Sequence, residues 1–264
     1  MAEVVGDAIQ MIEITINEAR KRLMAARPGL YAGFVSSWAD DEDISSKSSA
    51  YESKNHSAVI IKTFRFYGSN PLVWYICDTG NSDMAAAHAE LSEKNYDHSD
   101  VIMIYARELE GSYSLIFSCI GKPYDDSDIR FLSETDREQI LSITTVPDDD
   151  NEFGKSISQN LLQDFSEMIQ ESNSHMLGIF DGETLAGAIN IWKPNNDESV
   201  SVGSIFIPRN YRGRGYAPRL IRAGMAIYPG ARFIYNCGSD NYPSMAAAKS
   251  AGFVCEGTWD FLNG

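Results

Sequence analysis

Residues 203–222 read GSIFIPRNYRGRGYAPRLIR, and the order of residue types in this stretch decides how the C-terminal half folds. An apolar strand over 200–207 runs into Pro208. A loop carrying Gly213 and Gly215 follows, and then a helix whose apolar positions are Leu220, Ile221, Gly224 and Met225. A strand, a glycine loop and a helix in this order aim unpaired backbone N–H groups and the positive end of the helix dipole at one point. That arrangement suits a diphosphate. Glycine belongs there because a side chain would hold the backbone away from the phosphate oxygens. Arg209, Arg212, Arg214, Arg219 and Arg222 make the stretch basic. Arg212 and Arg214 read as phosphate ligands, while Arg219 and Arg222 read equally well as a solvated helix face.

Outward from the loop, the next strand is expected over 232–236, and Asn241-Tyr242-Pro243-Ser244 opens a further helix that ends at Gly252-Phe253. Upstream, 176–180 and 184–192 read as strands joined at Asp181-Gly182-Glu183, a strong hairpin signal. A helix with one apolar face is expected around Ile157, Leu161, Phe165 and Ile169. A short strand over 129–132 precedes Ser133-Glu134-Thr135-Asp136, which opens a helix with an N-cap and acidic first-turn residues.

The run Arg212-Gly213-Arg214-Gly215-Tyr216-Ala217 resembles the motif of the Gcn5-related N-acetyltransferases: Arg or Gln, two residues, Gly, one residue, then Gly or Ala. Asn241, Ser244 and Gly252-Phe253 resemble the second signature of that family, an Asn, a small residue three later and a helix ending in Gly-Phe. The resemblance covers 128–264. It implies a mixed α+β fold with a mostly antiparallel, splayed sheet and flanking helices, and acetyl-CoA as cosubstrate. It further implies that the backbone of Ile205, Phe206 and Ile207 pairs with the pantetheine arm. Arg212, Gly213, Arg214, Gly215, Tyr216, Ala217 and Pro218 would then hold the pyrophosphate, with Asn241 and Ser244 near the thiol end. The implied activity is acetyl transfer to a primary amine, on a small molecule or a peptide, by direct attack.

The sequence departs from the family pattern in two places, at Ala248 and at the end of the chain. The position seven residues after the Asn, where many relatives carry a general-acid tyrosine, is Ala248. Ser244 is then the nearest candidate acid, its alternative role being a helix cap. Glu198 lies where relatives often place a carboxylate base acting through water, against the plainer reading of a solvated turn residue beside Asp197. The chain also ends soon after Phe253, so the last strand of the sheet is expected to be very short or absent. Its exposed edge would be covered by the N-terminal domain. The lack of a convincing base leaves a catalytically silent acyl-CoA-binding or sensing module as the alternative function.

Residues 1–127 lie outside the resemblance and read as a separate α+β domain, with the boundary placed at the Gly, Pro and acidic cluster over 121–127. Apolar residues at helical spacing predict a helix over 8–24, and Arg27-Pro28-Gly29 supplies a stop. Strands are expected over 31–37, 59–66, 72–77, 101–106 and 113–120, a loop over 39–55 and a helix over 83–95. A helix between strands echoes the C-terminal pattern, so a degenerate second copy is one reading of 30–120.

The 264 residues carry a formal net charge of −15. That charge argues against binding nucleic acid through phosphate neutralisation and mildly favours a cationic partner such as an amine. It also weakens an RNA-binding reading of Arg-Gly-Arg-Gly. A dinucleotide loop would want a third glycine and an acidic residue at the end of the next strand, whereas 232–236 ends in Asn236 before Cys237. The cysteines at 77, 119, 237 and 255 form no close pairs and His56, His88, His98 and His175 no ligand spacing, so no metal is expected. The N-terminus lacks the basic start and apolar run of a signal peptide, and no stretch approaches the roughly 20 apolar residues of a membrane span. A cytoplasmic protein, monomer or homodimer, is expected.

Overall fold

The computed structural model describes residues 11–38, 45–53, 56, 58–63, 73–79, 101–106, 114–144, 165, 173–193 and 199–261. The chain forms two compact units, one of Met1–Leu115 with Glu256–Gly264 and one of Ile116–Cys255. The sequence places the boundary at 127/128, and the contacts place the transitions at 115/116 and 255/256. The cause is an exchange of strands, described below.

In the first unit the order is β1 (Ile12–Ile14), α1 (Ile16–Ala26), α2 (Pro28–Trp38), β2 (Ser49–Glu52), β3 (Ala58–Thr63), β4 (Val73–Asp78) and β5 (Val101–Ala106). The single helix expected over 8–24 is instead a strand and a helix. Thr15 Oγ1 accepts from Glu18 N at 3.1 Å while the Glu18 carboxylate accepts from Thr15 N at 2.9 Å, a capping box that starts α1 there. The β-branched Ile12 and Ile14 before it pair antiparallel with Glu52 and Ala50. The strand expected over 31–37 is helical. Pro28 occupies the first helical position, where its fixed φ fits and its missing N–H costs nothing, and Leu30, Tyr31, Phe34 and Val35 are buried at helical spacing. Strand β2 falls within the expected 39–55 loop, and the helix expected over 83–95 lies outside the described residues.

The second unit contains most of β6 (Ser114–Ile120), then β7 (Ile129–Phe131), a 3-10 turn at Glu134–Asp136, α3 (Arg137–Thr144), β8 (Ser174–Asp181) and β9 (Thr184–Trp192). It continues through β10 (Val200–Phe206), α4 (Tyr216–Ala226), β11 (Arg232–Gly238) and α5 (Tyr242–Ala251). Of the helix expected around 157–169 only Phe165 is described, and it is helical and buried. Helix α3 covers the sheet face that presents Met176 and Ala188, through Ile140 and Ile143. Helix α4 lies on the face presenting Leu177 and Ile191. A Cβ on Gly224 would come within 2.5 Å of the Ile191 side chain, so glycine is what lets this helix sit so close. Leu220 and Ile221 are fully buried, each contributing about 1.5–3 kcal/mol of apolar burial.

Strand order is β1-β2-β3-β4-β5-β12 in the first unit and β7-β8-β9-β10-β11-β6 in the second. Here β12 is Val254–Phe261, which pairs antiparallel with β5 from Thr258↔Ala106 to Phe261↔Met103. Each unit therefore has four consecutive antiparallel strands and then a parallel neighbour, β4 with β5 and β10 with β11. The last place in each sheet is filled from elsewhere in the chain. Strand β6 follows β5 in sequence yet closes the second sheet, and β12 follows β11 yet closes the first. The expectation of a short or missing last strand is thereby overturned: β12 has 8 residues, because its partner β5 lies outside the 128–264 stretch. The fold is mixed α+β, with mostly antiparallel sheets and flanking helices. Among the described residues, no helix is long and apolar enough to cross a membrane.

Candidate active site

The parallel pairing of β10 with β11 runs Val200↔Phe233, Ser201↔Ile234 and Val202↔Tyr235, and the register ends there. On its other side β10 stays with β9, through a bulge between Val202 and Ile205, to Ile205↔Ile189 and Phe206↔Ala188. The two strands thus fork at Val202 and Tyr235. Below the fork opens a cleft of ≈ 1150 Å³, lined by residues 202–206 of β10 and Ile207 just beyond it, Tyr211 to Pro218 in part, Tyr235 to Cys237, and Asn241, Ser244 and Ala247 of the α5 end.

One end of the cleft is the glycine loop. Gly213 and Gly215 have φ of +78° and +76°, the left-handed region, and a Cβ on either would meet nothing within 4 Å. Gly215 is the N-cap residue of α4 and offers no side-chain cap, and the first turn holds no acidic residue. The first turn of α4 thus has no side-chain cap, and its residues Tyr216, Ala217 and Pro218 line the cleft.

The arginines divide among distinct tasks. Arg212 Nε donates to Ile207 O at 2.9 Å, tying the loop to the strand that leads into it. Arg214 is half exposed, pairs with Asp181 at 3.0 Å and lies over the Tyr211 ring. Arg219, for which the sequence leaves a solvated face open, is clamped: Nε and Nη2 donate to the two Asp126 oxygens at 2.7 and 2.6 Å, and Nη2 also reaches Asp128. Those bonds from Arg219, with a further one from Tyr124, hold the Asp126 carboxyl down at about 2 against the opposing effect of its burial. Arg222 donates to Ser250 O, joining α4 to α5.

At the other end, Asn241 caps α5, its Oδ1 accepting from Ser244 N at 3.1 Å. Ser244 Oγ lies 2.5 Å from Tyr235 Oη. The Cys237 thiol, raised by burial, also lies in hydrogen-bonding reach of Ser244. Burial likewise pushes the Tyr235 phenol up to about 12, with the bond to Ser244 acting in the opposite direction. Sequence reasoning missed Tyr235, because one tyrosine within the apolar run Phe233-Ile234-Tyr235 reads as core. Ala248 is fully buried and supplies no acid. Glu198 lies outside the described residues. His175, not proposed as catalytic, has Nε2 2.8 Å from Tyr228 Oη. Among the described residues there is no group of three or more His, Cys, Asp or Glu placed to hold a metal.

Residues 141–253 match the model of the acetyltransferase (GNAT) family, the span that contains the fork, the glycine loop and α5. The C-terminal half is of the GNAT family. Solved GNAT structures share the fold of the whole chain. An acetyltransferase from the GNAT family of Colwellia psychrerythraea matches with a TM-score of 0.53 at 14% identity, covering 96% of this chain and 97% of its own. A GCN5-related N-acetyltransferase from Sphaerobacter thermophilus matches with a TM-score of 0.52 at 11% identity, covering 98% and 96%. A Drosophila protein matches with a TM-score of 0.52 at 13% identity, covering 97% of each chain. No curated protein matches the chain by sequence. GNAT proteins typically use acetyl-CoA, and the cleft fits it on the evidence of its own residues: an open strand edge, and two left-handed glycines whose missing side chains leave room beside an uncapped helix.

Proposed function

We propose that this protein transfers an acetyl group from acetyl-CoA to a primary amine, on a small molecule or a peptide in the cytoplasm, by direct attack. The observation that carries the reading is the fork after Val202 and Tyr235, which opens strand backbone onto a cleft ending at the glycine loop. When bound, acetyl-CoA supplies a thioester whose carbonyl carbon gains the C–N bond while the C–S bond breaks, the electron pair staying on sulfur and the surplus amine proton passing through water to the base.

The chain's own groups take the following roles. The backbone of Ile205, Phe206 and Ile207 aligns the pantetheine arm as an added strand, with the Ile207 carbonyl already satisfied by Arg212. Backbone N–H groups over 212–217 bind the diphosphate oxygens, helped by the α4 dipole, while Pro218, which has no N–H, shapes the first turn. Strand N–H groups polarise the thioester carbonyl. Asn241 fixes the first turn of α5, and Ser244 donates a hydrogen bond to the departing sulfur. Glu198 acts as the base through water. The buried Ala248 favours one other reading, a silent acyl-CoA-binding module, and turnover separates the two.

Calorimetry with acetyl-CoA, followed by a panel of amines screened for thiol release, tests the reading. Binding is expected to raise the melting temperature, by about 2.7 kcal/mol of stabilisation at 100 times the dissociation constant. No heat and no shift at millimolar ligand overturns coenzyme binding. Binding without thiol release from any amine favours the silent module.

A further inference from the structure

Ser244 is in contact with a second hydroxyl that the sequence does not bring to mind. Tyr235 sits at the apex of the fork, paired in register with Val202, the last β10 residue to keep its β11 partner. Its side chain is almost fully buried, with the ring centroid 5.8 Å from that of Phe253 and 6.4 Å from that of Phe117. Those neighbours fix the ring, so its oxygen has one place to be, at 2.5 Å from Ser244 Oγ on the cleft lining. Two hydroxyls so close must share one proton between them, and the direction follows from acidity. A phenol is a far stronger acid than an aliphatic alcohol, so the phenol donates and the serine oxygen accepts.

We propose that Tyr235 is a positioning residue: by donating to Ser244 Oγ it turns the serine's own O–H away from the strand and into the cleft, toward the leaving sulfur of acetyl-CoA. The proposal rests on the acetyl-CoA reading above. A serine hydroxyl on its own rotates freely and can point its hydrogen at any acceptor, whereas one whose lone pair is held by a fixed donor has its hydrogen confined to the remaining directions. The phenol keeps its proton throughout. Burial raises it to about 12, above the range of any departing thiol, so nothing drives proton transfer from it. Its work is orientation, and a ligand sulfur is stabilised as thiolate by the hydrogen bond it directs.

That stabilisation is measurable without turnover. If a donor is aimed at the sulfur, the thiol of bound coenzyme A ionises at lower pH than when free, and affinity rises with pH through that interval. Desulfo-coenzyme A lacks the thiol and supplies the reference, which also cancels titration of the groups facing the pair. These are Cys237 on the same strand, Cys255 on β12 and Asp240 on the cleft lining. The experiment is calorimetry of both ligands between pH 7 and 9.5, roughly the interval in which a thiol of reference value near 8.5 titrates. It is carried out on the full chain, on Tyr235→Phe, on Ser244→Ala and on the double variant.

In the wild type the affinity ratio of coenzyme A to desulfo-coenzyme A should rise up to about tenfold, corresponding to one unit of thiol shift. Tyr235→Phe should remove most of that rise while desulfo-coenzyme A still binds normally, which also establishes that the variant is folded. Ser244→Ala should remove it all, and adding Tyr235→Phe to Ser244→Ala should change nothing further. A full rise in Tyr235→Phe, additive effects in the double variant, or no rise in the wild type overturns the proposal. Failure of the wild type to bind either ligand overturns the acetyl-CoA reading, an outcome distinct from normal binding without pH dependence.

Discussion

The parallel pairs β4/β5 and β10/β11 hold the same place in their two units and end differently. The first stays in register over five positions, from Val73↔Val101 to Cys77↔Tyr105, while the second keeps three and parts. A pair that remains zipped satisfies its own backbone. A pair that parts creates an interior edge, which must find a partner. In the second unit Gly215 also leaves the start of α4, the helix between the parting strands, without a side-chain cap. The residues between β4 and β5 agree: 79–100 contain one glycine and no arginine, so the sequence of the phosphate loop has no counterpart there. One strand order thus serves twice, and among the described residues the parting pair and the uncapped helix of the second unit make the site at which we propose the nucleotide cosubstrate binds.

Substitution at Gly215 is the strongest way to break this contrast. Gly215→Val forces a β-branched residue into φ +76°, costing about 1–2 kcal/mol of stability, and fills the approach to the backbone. Acetyl-CoA affinity should fall at least about 100-fold by calorimetry, near 2.7 kcal/mol, from a wild type that binds one ligand per chain. Unchanged affinity, or two ligands per chain, would mean that the units do not differ as described. The next largest effect concerns how an uncapped helix is held. Arg219 anchors α4 to Asp126, whose folded-state value of about 2 lies below its ordinary value near 3.9. The stabilisation is therefore present above pH 4 and lost as pH falls through 2. Urea unfolding should show Asp126→Asn less stable than wild type by about 2 kcal/mol at pH 5, with the gap closing toward pH 2.

Gly215→Asn separates obstruction from strain. Asparagine tolerates positive φ, so stability should change little, while its side chain enters space that is open in the wild type. An affinity loss of about tenfold is expected by calorimetry; no loss would confine the Val effect to strain. The smallest effect belongs to the closed unit. Thr15→Ala should cost about 1 kcal/mol in thermal unfolding and leave acetyl-CoA affinity unchanged.

Local signals in the sequence were the legible ones. Gly213 and Gly215 mark the loop before α4 and Asp181-Gly182 marks the β8/β9 turn, because each requirement is met within a few residues, whereas the cap of α5 is Asn241 and not Ser244. Tyr235 was not legible, since its meaning comes from Ser244 nine positions on and from a fork that no short window contains. The helix at Pro28–Trp38 was misread because a short apolar run has no period of its own, and only burial at Leu30, Tyr31, Phe34 and Val35 resolves it. The length of β12 was misjudged for a third reason, that its partner is about 150 residues away, at Met103 to Ala106.

That separation has a consequence during synthesis. A ribosome adding 5–20 residues per second needs roughly eight to thirty seconds to go from Ala106 to Thr258, and for that interval the growing polypeptide presents β5 without the strand that finally lies beside it. Strand β6 emerges first, only eight positions after β5 ends. The early chain thus meets the nearer strand long before the correct one exists, and completion of the first sheet waits for translation of the last one.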